Sequence, residues 1–207
     1  IPRTASRDDE AEVKQYGIHL TAMQILGTIA NEVDKILIWK FLGPAHLAVY
    51  TLALAIPDQI RGPLKGIGEL AFPKFAAQTP EQIRKNLPAL WRKLALYALV
   101  LFSVSLLYMF AAPYIFQLFF PQYMESVSYS QWLALSLVTG VAAIPNALLA
   151  AQKKMKIQYV ISTVQPIMTI GLLVVLIPLY GIMGAIIALL LSRLATIVTY
   201  IAAVRTL

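Results

Sequence analysis

Apolar residues run along this chain in six long stretches, at about 16–42, 47–75, 90–120, 130–151, 157–179 and 182–204. Each reaches or exceeds the roughly 20 apolar residues that a membrane-crossing helix needs. Turn signals separate them. Gly43-Pro44 ends the first, Pro121 stops the third, and Tyr180-Gly181 divides the fifth from the sixth. A polar segment, 78–85, follows the second, and Lys153, Lys154 and Lys156 mark the boundary after the fourth. The second stretch is interrupted by Pro57 and Gly62-Pro63, which predicts a broken helix there. The pattern predicts an all-α integral membrane bundle: a polar segment over 1–15, then six transmembrane helices over 16–207.

Charges inside these stretches carry the most information. The first holds Glu32, Asp34 and Lys35, and the second Asp58, Arg61, Lys65 and Glu69. Each charge at a helix centre costs about 2.5–3.5 kcal/mol on insertion scales. Facing lipid, the three in the first span would roughly cancel the gain from its apolar residues, so they must face protein or a water-filled cavity. Helical spacing agrees. Gln24, Thr28, Asn31 and Lys35 share one narrow stripe, with Glu32 and Trp39 on the same face and Asp34 just beside it. Asp58, Arg61, Lys65 and Glu69 share a face of the second span, as two pairs of opposite sign. The sixth span carries Arg193 near its centre, with Ser192, Thr196, Thr199 and Tyr200 widening a polar face. A solvated cavity lined by the first, second and sixth spans is the expectation. Gln131, Asn146 and Gln165 are expected to make hydrogen bonds between helices.

Composition narrows the class. The chain has 207 residues, 59% of them hydrophobic and 13% charged, where a soluble domain carries about 25% charged residues. The net charge of +7 reflects basic loops between apolar spans, and no nucleic-acid partner is expected. With no cysteine, and with His19 and His46 far apart, neither a disulfide nor a metal site is expected. No cofactor is expected either. Lys and Arg alternate sharply between loops. Arg3, Arg7, Lys14, Lys74, Arg84, Lys85, Arg92, Lys93, the three lysines at 153–156 and Arg205 fall on one side, against Lys40 alone on the other. The positive-inside bias therefore places both termini in the cytoplasm. The opening IPRTASRDDEAEVKQ is not a signal peptide, and the chain reads as a piece of a longer protein.

Three stretches, in this order, carry a resemblance: NEVDKILIWKFLGPAHLAVYTLA, LFFPQYMESVSYSQWLALS and LYGIMGAIIALLLSR. Together they resemble the C-terminal half of a polysaccharide flippase, from the lipid-linked oligosaccharide branch of the multidrug/oligosaccharidyl-lipid/polysaccharide exporter superfamily. The chain keeps the family's Gly43 and Tyr50 and has Ala48 where a second glycine is common. The resemblance implies one six-helix half of a two-lobed plasma-membrane transporter, with an N-terminal six-helix half as its partner. Membrane lipid would surround it. Its cargo would be a lipid-linked oligosaccharide on polyprenyl pyrophosphate, moved to the outer leaflet by alternating access. On this resemblance Asn31, Lys35, Arg61, Lys65 and Arg193 would bind substrate, while Glu32, Asp34 and Asp58 would hold a coupling ion or act as charge partners. The competing readings are a cation-coupled drug exporter of the same superfamily, and a membrane enzyme or scaffold of the glycan pathway. HExxH, GxSxG and DxD motifs are absent, which argues against an enzyme.

Overall fold

A computed structural model describes residue 28, residues 32–152 and residues 155–205, apart from the Lys65 side chain and a few beside the junction at 153–154. The described residues are all-α. Residues 32–42 form helix α1. It ends at Gly43, whose φ of 89° and ψ of 175° suit glycine alone, and Pro44 opens α2 (Pro44–Ala76). Helix α3 spans Pro80–Phe119. After a short 3-10 turn come α4 (Ser126–Ala134), a 3-10 stretch (Leu135–Ala142) and α5 (Ala143–Ala151). Helix α6 spans Met155–Arg205 and breaks at Gly181, where φ is 60° and ψ −138°.

Three expectations need correction. Six uninterrupted spans are not what the described residues give: the α-helices are residues 32–42 and α2 to α6, and they do not coincide with the six expected spans. The expected fourth span is an α/3-10/α run, while the fifth and sixth meet at the expected turn, where helical geometry breaks at Gly181. The break expected at Pro57 and Gly62-Pro63 does not occur, because α2 runs through Pro57, Pro63 and Pro73. Each proline removes a single backbone donor, and packing on the neighbouring helices suffices to keep the rest in register. Third, the polar segment after α2 is mostly the first turns of α3. Thr79 caps that helix through a reciprocal box: its Oγ1 accepts from the Gln82 N–H, and Gln82 Oε1 accepts from the Thr79 N–H. The first residues, 1–15, lie outside the described residues.

Among the described residues, three stretches are long and apolar enough to cross a membrane: Pro80–Phe119, Ser126–Ala151 and Val160–Arg205. The charges of α2 keep it out of that set. At Gly181 the chain folds back. A side-chain carbon added at Gly184 would run into the Leu176 carbonyl, so the two arms of α6 touch backbone to backbone. This close approach is what glycine permits.

The main core joins Ile38 of α1, Tyr50, Ala53 and Leu54 of α2 and Leu133 of α4 to Leu173, Ile177, Ile186 and Leu189 from both arms of α6. A second cluster sets Tyr108, Ala112 and Phe116 of α3 against α4, with Ile56 and Ile60 of α2 alongside. A third gathers one end of the molecule: Phe75, Ile83, Leu149, Ile157 and Val204. The α2–α3 turn, the start of α6 and its finish thus lie together. The turns at Gly43 and Gly181 meet at another place, with the Leu42 Cδ1 3.8 Å from where a Gly181 side-chain carbon would stand. Hydrogen bonds from apolar-segment polar residues tie the helices. The Ser105 hydroxyl donates to the Ala134 carbonyl at 2.8 Å, and Ser126 to the Val49 carbonyl at 2.9 Å. Gln131 donates to the Met109 carbonyl at 2.8 Å, the interhelical role expected of it.

Candidate functional site

The charged residues of α1, α2 and α6 converge. Glu32, Asp34 and Lys35 from α1, Asp58 and Arg61 from α2, and Arg193 from α6 line one cavity of about 320 Å³. These are six of the eight residues expected at the site. Asn31 and the Lys65 side chain lie outside the described residues.

Helical spacing explains how each arrives there. Asp58 and Arg61 stand one turn apart on α2, and the Arg61 guanidinium reaches the Asp58 carboxylate at 3.4 Å. Lys35 and Glu32 pair in the same way on α1, at 2.8 Å. Both ion pairs are local to one helix, so neither joins helices. That task falls to a different pair. Asp34 is only 3% exposed, and Tyr50, fully buried on α2, donates its phenolic proton to the carboxylate at 2.5 Å. The Lys35 backbone N–H donates to the other carboxylate oxygen at 2.7 Å. Sequence reasoning had placed Asp34 beside the polar stripe and Tyr50 in a motif, but spacing within one helix says nothing about a bond across 16 residues.

A larger cavity, about 740 Å³, adjoins the first. Arg61, Leu189 and Arg193 line both, so these three side chains form the wall between them. Glu69 and Phe72 of α2, Asn146 of α5 and Gln165, Thr169, Thr196 and Tyr200 of α6 line the rest of the larger one, among small and aliphatic residues. Ser192, Thr196 and Tyr200 were expected on the Arg193 face. Asn146 and Gln165 were expected to serve as ties between helices, and their side chains also border this space. Asn146 of α5 makes such a tie, accepting a long, 3.5 Å hydrogen bond from Gln158 of α6. The signal that could have found them is the hairpin, which folds Gln165 and Thr169 back opposite Arg193 and Thr196. Gly68 sets the width of the cavity on the α2 side. A side-chain carbon there would stand 2.9 Å from the Ala143 carbonyl, so α2 approaches the start of α5 as closely as glycine allows.

Arg193 has an unusual environment. Its Nη1 is buried and has no hydrogen-bond partner among the described residues. An unpaired buried guanidinium nitrogen is expensive, and in an apolar helix pair it asks for an anion. Arg61 stands across the same wall. Asp34 and Asp58 line the same cavity as the two guanidiniums and offset part of their mutual repulsion. Planar, many-donor guanidiniums match phosphate and carboxylate oxygens with paired hydrogen bonds. Among the described residues no group of three His, Cys, Asp or Glu side chains could hold a metal ion.

The described residues are all-α, with membrane-length apolar stretches and a charged cavity between α1, α2 and α6 in which Asp34 is buried while Glu32 and Asp58 are exposed. Its residues 2–128 match the model of the polysaccharide biosynthesis protein family, more than half of the 207 residues, and the chain belongs to that family. The match includes the α1 and α2 charges and ends before Arg193. No curated protein and no solved structure gives a match.

Proposed function

We propose that this chain is a transporter, not an enzyme, and that it helps move a lipid-linked polysaccharide precursor across the plasma membrane. The cargo is an oligosaccharide on polyprenyl pyrophosphate, carried from the cytoplasmic to the outer leaflet. Among the described residues, α3, the α4–α5 run and the two arms of α6 cross the membrane. Both termini face the cytoplasm. It works with a second six-helix half, and cargo passes between them as access alternates between the two sides.

The observation that carries this reading is the pair Arg61 and Arg193 on the wall shared by two cavities, with Nη1 of Arg193 unpartnered. A phosphate-bearing headgroup gives the Arg193 Nη1 the acceptor it lacks, and Arg61, which already pairs with Asp58 at 3.4 Å, has further donors to offer the same anion. Membership of a polysaccharide biosynthesis family favours a glycan-bearing headgroup. The basic residues near the third cluster, among them Lys74, Arg84 and Lys85, favour a cytoplasmic position for that end.

The test is complementation in cells that lack the full gene. Arg61→Lys keeps the charge but loses the planar fork. It is expected to insert at normal abundance and to export surface glycan poorly, and Arg61→Ala is expected to fail as well. Normal export by both variants overturns the reading.

A further inference from the structure

We propose that the larger cavity is a seat for the first sugar of the cargo, and that it contributes to the choice of glycan. This inference rests on the function proposed above, because it takes the phosphate to lie at Arg61 and Arg193. The two cavities differ in what they offer. At the shared wall the two guanidiniums are donors only. Past that wall the lining turns accepting, through hydroxyls, amides and the Glu69 carboxylate. The Thr169 hydroxyl donates to the Gln165 carbonyl at 2.8 Å, Thr196 to the Ser192 carbonyl at 2.9 Å and Ser192 to the Leu189 carbonyl at 3.0 Å. These hydroxyl protons are thus committed to their own helices, which leaves lone pairs for an incoming donor. Glu69 adds a carboxylate, and the side-chain amides of Asn146 and Gln165 add both kinds of group.

A glycosyl phosphate has the complementary order. Its phosphate oxygens accept, and the hydroxyls of the attached sugar donate. A cavity of about 740 Å³ lies within the usual range of small-molecule sites, roughly 300–1,000 Å³, and leaves room for one or two sugar rings. A lipid tail alone would gain nothing from amides and a carboxylate. A bare phosphate would have no use for acceptors.

The experiment uses the full protein in lipid nanodiscs and two probes of equal lipid length. One is a short-chain prenyl diphosphate; the other carries a single N-acetylhexosamine on the same diphosphate. Glu69→Gln, Asn146→Leu and Thr169→Val remove acceptors or amides. Glu69 and Asn146 are accessible, and Thr169→Val keeps its shape. Each variant is expected to weaken the sugar-bearing probe by at least about threefold, the scale of one hydrogen bond, and to bind the bare diphosphate as the wild type does. Arg193→Gln is expected to weaken both probes. Unchanged affinity for the sugar-bearing probe in all three acceptor variants, with Arg193 still needed, overturns the sugar seat and leaves the proposed function standing. If the wild type binds neither probe, the proposed function falls, and the sugar seat falls with it.

Discussion

Tyr50→Phe removes one oxygen from the core, and its effect follows from the geometry. Asp34 is 3% exposed and Tyr50 fully buried, so water cannot replace the phenol. The carboxylate keeps one donor, the Lys35 N–H, on its other oxygen. Hydrogen bonds to charged groups contribute about 1.5–3 kcal/mol, and a buried acceptor left bare loses its full share. Tyr50→Phe is therefore expected to destabilise the folded protein by about 2 kcal/mol. In an Asp34→Leu background no carboxylate remains to be deprived, and the same substitution is expected to cost less than about 0.5 kcal/mol. The difference isolates the bond. Reversible unfolding in mixed micelles reads all four members of the cycle. A Tyr50→Phe protein within about 0.5 kcal/mol of wild type refutes the view that this bond ties α1 to α2.

Gly184→Ala forces a carbon into the Leu176 carbonyl and is expected to destabilise the hairpin by about 1–3 kcal/mol, the usual scale of overpacking. Gly171→Ala on the same helix meets nothing within 4 Å and is expected to be neutral or to stabilise by up to about 1 kcal/mol in the same unfolding assay. Gly43→Ala, at φ 89°, is expected to cost about 1–3 kcal/mol from backbone strain alone. Single cysteines in intact cells test the orientation: an impermeant thiol reagent is expected to label positions 125 and 180 and to spare position 84, and the reverse pattern turns the bundle over.

The sequence was most informative where periodicity and charge act within one helix. Asp58 and Arg61 are one turn apart in any helix, so their pairing could be read before any fold was known. The Gly43-Pro44 and Tyr180-Gly181 turns were legible for a related reason: a glycine beside a proline, or between two apolar runs, has few other uses. Helix continuity was less legible. Pro57 and Pro63 look like breaks in a string of letters, but α2 stays helical through them. Tertiary partners were least legible of all. Tyr50 lies sixteen residues from Asp34, and Asn146 sits opposite the Arg193 arm only because the chain reverses at Gly181. The cavity wall beyond the charges is built from residues that are ordinary in their own helices and gain meaning from what faces them.

The central claim is that Arg61 and Arg193 grip the anionic headgroup of a lipid-linked glycan while it crosses the membrane. Its most direct test is transport by the full protein in proteoliposomes. These carry a fluorescent polyprenyl diphosphate bearing one sugar, with access to the far leaflet read by a membrane-impermeant quencher. The wild type is expected to bring the inner pool to the quencher much faster than empty liposomes do. The double variant Arg61→Gln/Arg193→Gln, reconstituted at equal density and with wild-type unfolding behaviour, is expected to slow that movement by at least about tenfold, the loss of one charged hydrogen bond. A double variant as fast as wild type, or a wild type no faster than bare lipid, contradicts the claim.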